Sequence, residues 1–344
     1  MVRILVKVCF LVAAVILVSC ENNRFEANIA EQKYELDLLR LDQELFKAPS
    51  EPKKFYAWLD SLNQKNPDFL KIYLGDIMRV GILPDSAVAL RLIQFKNDTL
   101  WQGLQKEVDG HHADFSKNKE EISNAVKRIR YFFEDMDVPK LTTFNSGFNV
   151  AVYPTTQHIG IGLEWFLDTG SVFLKMLPPE NFPQWKKAGM VQENLVPEAI
   201  KGWLLHNFYE DYWFEQDLLR QMVFYGKIML LTEVALPESD LTEVFKYTEE
   251  QMDWAFDNQE GVWAELVKKE MLFSTNFKEI NRLTIDGPFT NTFGNSSPPR
   301  IAWYLGWQMV KQYADKKDLP LKDIIKDHNE REILKTFRPG KTLK

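Results

Sequence analysis

Between Asp286 and Tyr313 the chain has few conformational choices. Asp286-Gly287-Pro288-Phe289-Thr290 and Phe293-Gly294-Asn295-Ser296-Ser297-Pro298-Pro299-Arg300 place two clusters of Gly, Pro, Asn and Ser one after the other. Each of these residues fixes or demands a particular φ, so the stretch predicts a structured loop. Ser297 before Pro298 predicts a helix start, a hydroxyl to cap orphan N–H groups and then a ring whose φ is already helical. In the helix that follows, Ile301, Leu305, Gln308 and Gln312 form one line. Trp303, Trp307, Met309 and Val310 form the apolar side, at spacings of three and four. Gly306 lies between two tryptophans, although glycine costs about 1 kcal/mol in a helix. Its position predicts that another backbone packs closely there. The segment reads as a docked terminal helix with a rigid entry loop.

The other end of the chain is a leader. Arg3 and Lys7 precede an apolar run from Val8 to Val18, too short to cross a bilayer and shaped like a signal peptide. It ends in Leu17-Val18-Ser19-Cys20, a bacterial lipobox: a branched apolar residue, a small one, then the cysteine that is lipidated and becomes the first residue. Residues 1–19 are therefore expected to be removed, 20–28 to form a short lipidated tether, and 29–344 a single domain. Cys9 leaves with the signal and Cys20 is acylated, so no disulfide is expected. Loss of Arg3 and Lys7 takes the formal charge from −7 to −9, which argues against nucleic acid as a partner. An acidic body also argues against broad electrostatic adhesion to anionic lipid, leaving the acyl chains to hold the membrane.

Periodicity predicts a mostly helical α+β domain, bundle-like, with a small inserted β-sheet. Tyr34, Leu38, Leu41 and Leu45 form an apolar stripe on a helix from about Ile29 to Lys47. Ser50 with Pro52 opens a second helix with Phe55, Trp58, Leu59 and Leu62 inward. Shorter pieces follow near Phe69–Met78, Ser86–Phe95 and Thr99–Val108, and a longer one from Ser116. After Pro139, Leu141–Phe144, Asn149–Tyr153 and His158–Leu163 are β-prone runs separated by turns, about three strands. Helical pattern returns from Pro197 to Tyr209, from Asp217 to Leu236, and after Ser239. A capping box at Thr248 and Gln251 opens a long helix toward Phe273.

A small sheet followed by paired helices is the layout of HExxH zinc peptidases, but that motif is absent. The nearest approach is Leu205-His206-Asn207-Phe208-Tyr209-Glu210. His206 would stand for the first ligand and Glu210 for the second, with Glu233 completing three. Asn207 occupies the place of the general base and cannot take a proton from zinc-bound water. A His and a Glu four apart on a helix more often make a surface hydrogen bond, and that reading is preferred. His111-His112 is expected to be a solvated loop pair whose side chains diverge. The sequence has no GxSxG elbow, phosphate-cradling glycine loop or dinucleotide fingerprint. Glu249-Glu250 and Asp253-Asp257 are expected on a solvated helix face. Arg300 near a helix start suits a structural ion pair, or a carboxylate or phosphate held with the helical N–H groups. Trp58, Trp254, Trp263 and Trp303 are expected in the core. No catalytic residue, metal ligand or cofactor is assigned.

The stretch Gly287 to Tyr313 resembles the gliding-motility lipoprotein GldB family of Bacteroidetes. Support comes, in order along the chain, from Leu39-Arg40-Leu41-Asp42-Gln43-Glu44-Leu45-Phe46, Phe144-Asn145-Ser146-Gly147-Phe148, Met222-Val223-Phe224-Tyr225-Gly226-Lys227-Ile228, Glu250-Gln251-Met252-Asp253-Trp254, and the tail with Phe337-Arg338-Pro339. Pro299 departs from the pattern, which has glycine before the arginine. The resemblance implies a non-enzymatic role in gliding motility on the periplasmic side of the envelope. It implies two kinds of partner: the membrane, through lipid at Cys20, and protein components of the motility machinery. Two alternatives stand beside it, a degenerate zinc-metallopeptidase-like hydrolase and a periplasmic module that binds a peptide or glycan.

Overall fold

The computed structural model describes residues 25–209 and 217–341. At its centre is a four-stranded sheet: β1 (Leu38–Arg40), β2 (Lys140–Phe144), β3 (Val152–Pro154) and β4 (His158–Gly162), in the order β1-β2-β4-β3. β1, β2 and β4 run parallel, and β3 pairs antiparallel with β4. Parallel strands are buried on both faces, and the register shows how. Leu38, Leu141, Ile159 and Val152 share one face, while Leu39, Phe144 and Tyr153 share the other. The first set belongs to one hydrophobic core and the second to another.

The smaller core lies under α1 (Leu41–Lys47), α2 (Pro52–Lys65), α3 (Pro67–Ile72, continuing as a π-turn to Ile77) and α4 (Ser86–Asn97). Phe69 packs at 5.6 Å on His158 and 6.2 Å on Phe144. A Cβ on Gly160 would come within 2.8 Å of the Phe69 ring, so that strand position must be glycine. The larger core takes α5 (Thr99–His112), α6 (Ser116–Phe132) and the rest of the chain. There the short α7 (Val172–Met176) and α8 (Gln184–Ala188) lead into α9 (Leu195–Phe208), α10 (Leu218–Ala235), α11 (Leu241–Phe245), α12 (Glu249–Lys268) and α13 (Phe277–Thr284). The chain closes with α14 (Ile301–Lys317), α15 (Leu321–Lys326) and α16 (Glu330–Thr336). The fold is mostly helical α+β, as expected, with helices on both faces of a small sheet.

α10 and α14 form the core of the larger layer. A Cβ on Gly306 would lie 1.7 Å from the Met222 carbonyl oxygen, and one on Gly226 would lie 2.1 Å from the Gly306 carbonyl carbon. The two backbones touch there, as Gly306 foretold. Every residue from Ile301 to Val310 is buried, so that part of α14 has no solvated face, and only its last turn, Asp315 to Lys317, is exposed. The line of Ile301, Leu305, Gln308 and Gln312 is buried too: Gln312 accepts from Arg338 N at 2.7 Å and donates to Arg338 O at 3.0 Å, tying down the tail.

Three expectations need correction. The stripe from Ile29 to Lys47 is helical only from Leu41, because Leu38–Arg40 form a strand beside β2. Ser297 does not cap α14, which starts at Ile301 after Arg300 in a left-handed conformation (φ 53°). Instead Ser297 Oγ accepts from Thr290 N at 3.1 Å and donates to Gly294 O at 2.7 Å, closing the loop on itself. Trp58, Trp254 and Trp263 are only partly buried, whereas the fully enclosed tryptophans include Trp203 and Trp307. The capping box is as expected, with Thr248 Oγ accepting from Gln251 N and Gln251 Oε1 from Thr248 N.

Candidate functional site

A cleft of about 460 Å³ opens on the larger layer, within the size range of ligand pockets. One wall is Trp185 to Asn194, from α8 to the start of α9. The opposite wall is the turn Lys246-Tyr247-Thr248 with Gln251 of α12, and Asp286-Gly287-Pro288 with Pro299 from the loop before α14. Two of the loop's own bonds hold that wall: Tyr247 Oη donates to Pro299 O at 2.7 Å, and Gln251 Nε2 to Pro288 O at 3.1 Å. The stem of the loop, Ser297 to Arg300, is buried, while Gly294-Asn295-Ser296 is exposed.

Behind the wall lies a charge cluster. Glu198 Oε1 pairs with Lys201 at 2.6 Å and its Oε2 with Lys246 at 3.3 Å. Lys201 Nζ also donates to Val244 O at 3.2 Å. Arg300 donates to Phe245 O at 2.8 Å, approaches Asp286 Oδ1 at 3.4 Å and lies 4.9 Å over the Trp303 ring. Burial alone would raise the Glu198 carboxyl, but Lys201, Lys246 and Arg300 outweigh it and hold the group well below its usual range. Burial lowers Lys201, against the opposing pull of Glu198. Burial likewise pushes the Tyr247 hydroxyl up. Arg300 is thus a buried ion-pair residue, while Asp286 remains half exposed at the rim.

The described candidates for metal chemistry, His206 and Glu233, are placed in other surroundings. His206 is exposed on α9, and Asn207 Nδ2 donates to the Trp203 carbonyl at 2.8 Å. Glu233 is engaged elsewhere, accepting from Trp307 Nε1 and pairing with Lys311, both at 2.8 Å. Glu210, like Cys20 and the leader, lies outside the described residues. Among the described residues no group of three or more His, Cys, Asp or Glu side chains could hold a metal ion. Neither His206 nor Arg300 lines the cleft. His112 overturns the expectation of a solvated pair. It is a buried helix residue whose Nε2 donates to Phe166 O at 2.9 Å, and burial lowers its pKa. His111 stays partly exposed near Asp168. Glu249, Glu250, Asp253 and Asp257 are exposed, as expected.

Sequence reasoning picked out the loop wall, with Asp286-Gly287-Pro288, Pro299, Thr248 and Gln251, but missed the opposite wall and the charges behind it. Glu198 and Lys201 were visible as opposite charges three apart in an apolar helix, the one signal available. Lys246 and Trp185 carried none.

A family model described as gliding motility protein GldB matches residues 22–339. The chain belongs to the GldB family. The match takes in both helical layers, the sheet and every residue of the cleft. No curated protein and no solved structure matches. Membership makes this a gliding-motility-related lipoprotein of the cell envelope. Among the described residues no helix is long and apolar enough to cross a membrane.

Proposed function

We propose that the chain is a non-catalytic, lipid-anchored component of the gliding-motility machinery that works through protein contacts on the periplasmic face of the membrane. The observation that carries this reading is the family match over residues 22–339. In it, residues 1–19 are cleaved, Cys20 carries the lipid, residues 20–28 are the tether, and 29–344 form one domain. Catalysis is disfavoured by Asn207 in the base position and by Glu233 being held by Lys311 and Trp307. The cleft and its rigid loop are the contact surface, since a wall already fixed by hydrogen bonds loses little entropy on binding.

The test is genetic and biochemical. Deleting the gene in a gliding host abolishes surface spreading, and normal spreading of the deletion strain removes the motility reading. Cys20→Ala protein takes no fatty-acid label and does not fully restore spreading, because anchoring raises the effective concentration near membrane partners. Equal labelling of wild type and variant removes the anchor. About one zinc per purified chain, lost in His206→Ala, favours the hydrolase alternative instead.

A further inference from the structure

Phe144-Asn145-Ser146-Gly147-Phe148, singled out in the sequence, leads from the carboxyl end of β2 into the loop that returns as β3. The loop is fixed at both ends. The Asn145 carbonyl accepts from Tyr73 Oη at 2.9 Å, and its side chain donates to Gln105 Oε1 at 3.1 Å. Ala151 O accepts from Gly162 N at 2.8 Å. Between those points Ser146 N, Ser146 Oγ and Phe148 N converge on one oxygen of Glu164, just past β4. Beyond these, among the described residues, only Asn149 Nδ2 reaches out of the loop, to Ile77 O at 3.3 Å. Gly147 and Phe148 are both left-handed, at φ 66° and 67°, so the N–H groups turn inward as in backbone concavities that hold anions. A left-handed phenylalanine is strained and persists only while its surroundings hold it. Here the hold is Glu164.

That site suits a neutral carboxyl better than a charge. The Glu164 side chain is enclosed, and its Oε2 meets no donor. The groups on the surrounding elements supply no free cation. Asp42 of α1 is a like charge, and Arg40 of β1 is bound to it at 2.9 Å. Tyr73 of the π-turn is kept protonated by burial and by Glu164 and Asp42. His112 of α5 gives its Nε2 to Phe166 O, and burial lowers its pKa. Asp76 and Asp109 accept from Tyr153 and Gln105. Lys186 of α8 donates to Asn181 O and lies over the Trp165 and Phe182 rings. An unpaired buried carboxylate is costly. With a proton on Oε2, Oε1 still accepts all three bonds from the loop. Burial prevails over those donors and pushes the carboxyl up to about 7. The loop also reaches the cleft: the buried Phe148 ring packs 6.4 Å from Trp165 and 6.2 Å from Phe182, the rings that seat Lys186 in the cleft wall.

We propose that the loop from Ser146 to Val150 is a proton-operated latch: protonated Glu164 holds it shut, and ionised Glu164 admits water and frees Phe148 from the rings that seat Lys186. The device stands independently of the motility reading. Its sign follows from linkage. The closed loop binds the proton more tightly than the open one, so opening becomes easier as pH rises toward about 7 and gains nothing more above it. Hydrogen exchange at the amides of residues 146–150 is followed in mature-length protein in detergent, each rate divided by the intrinsic rate at that pH. The opening constant rises about tenfold per pH unit from about pH 5 to 7 and then levels off. It exceeds that of the α14 amides at least a hundredfold, because the loop opens while the fold stays intact. The Trp165 indole N–H resonance, assigned with Trp165→Phe, moves with the same midpoint. Glu164→Gln keeps the shape and cannot ionise, so both profiles become flat. Ser146→Ala, which keeps the carboxyl and removes one donor, raises opening at every pH and retains the slope. The proposal fails if the wild-type loop profile is flat, or if its slope survives in Glu164→Gln. It fails equally if the loop opens no more readily than α14, or if the Trp165 signal does not move.

Discussion

Glu164 takes a carboxylate to a place without solvent. Its Oε1 accepts from Ser146 N at 2.8 Å, Ser146 Oγ at 2.6 Å and Phe148 N at 3.1 Å, while its buried Oε2 has no donor. Burial pushes this group up to about 7, against the three donors that favour its charged form. Because the folded pKa exceeds the ordinary value of 4.5, the native state holds the proton longer than the unfolded chain does. The contribution of Glu164 to stability is therefore fully present below about pH 4.5 and is lost as pH rises through about 7, by up to a few kcal/mol. Glu198 has the opposite sign: its pKa is depressed, so its contribution is present at neutral pH and lost in acid. Glu164→Gln should flatten the fall in melting temperature between pH 5 and 7.5, read from a pH series of thermal melts. Glu198→Gln should lower stability at pH 7 by roughly 1–3 kcal/mol, measured in urea, because it leaves Lys201 buried without its partner. That figure is at the lower end because the Glu198 side chain is a quarter exposed. Neither group stood out in the sequence. Helical periodicity tells which face a residue occupies, but beyond Lys201 on the same helix the charges around Glu198 are Lys246 and Arg300, about 50 and 100 residues away along the chain.

Among the elements, the crossing of α10 and α14 was the most legible, because a glycine between two tryptophans has few reasons to exist. Gly306→Ala would drive a methyl group into the Met222 carbonyl, which cannot yield without separating the helices. A loss of more than about 3 kcal/mol is expected, seen as a lowered urea midpoint or failure to fold. Gly261→Ala is the matched control. It lies on the exposed side of α12 with nothing within 4 Å of a new Cβ, and should stabilise by up to about 1 kcal/mol. β1 was hidden because Leu38, Leu41 and Leu45 also suit a helix. The contrary signal was Leu38 next to Leu39, two adjacent apolar residues that a strand buried on both faces can use at once. Ser297 misled for a different reason. A hydroxyl before proline satisfies a helix start or a loop clasp equally well, and Thr290 decides it from seven residues away.

For the whole molecule, hydrophobic periodicity made a mostly helical fold with a small sheet legible, but not that the sheet lies between the two cores. β1 covers the open edge of β2, so deleting residues 25–40 exposes Leu141, Thr142 and Thr143 as an unpaired edge. Such an edge templates association between copies. The truncated protein should elute as aggregate in size-exclusion chromatography, where the longer chain elutes as a discrete species. The same arrangement has a mechanical side. A pull on residue 25 first meets the chain leading to β1, where Gln32 Nε2 donates to Lys127 O at 2.9 Å and the Tyr34 ring lies under Arg130. Past those grips the load reaches β1, whose bonds to β2 run across the strand axis. A pull along that axis strains these bonds together instead of peeling them one at a time. A body towed by its N-terminal end would then take the tension at the middle of its fold, through a strand of only three residues.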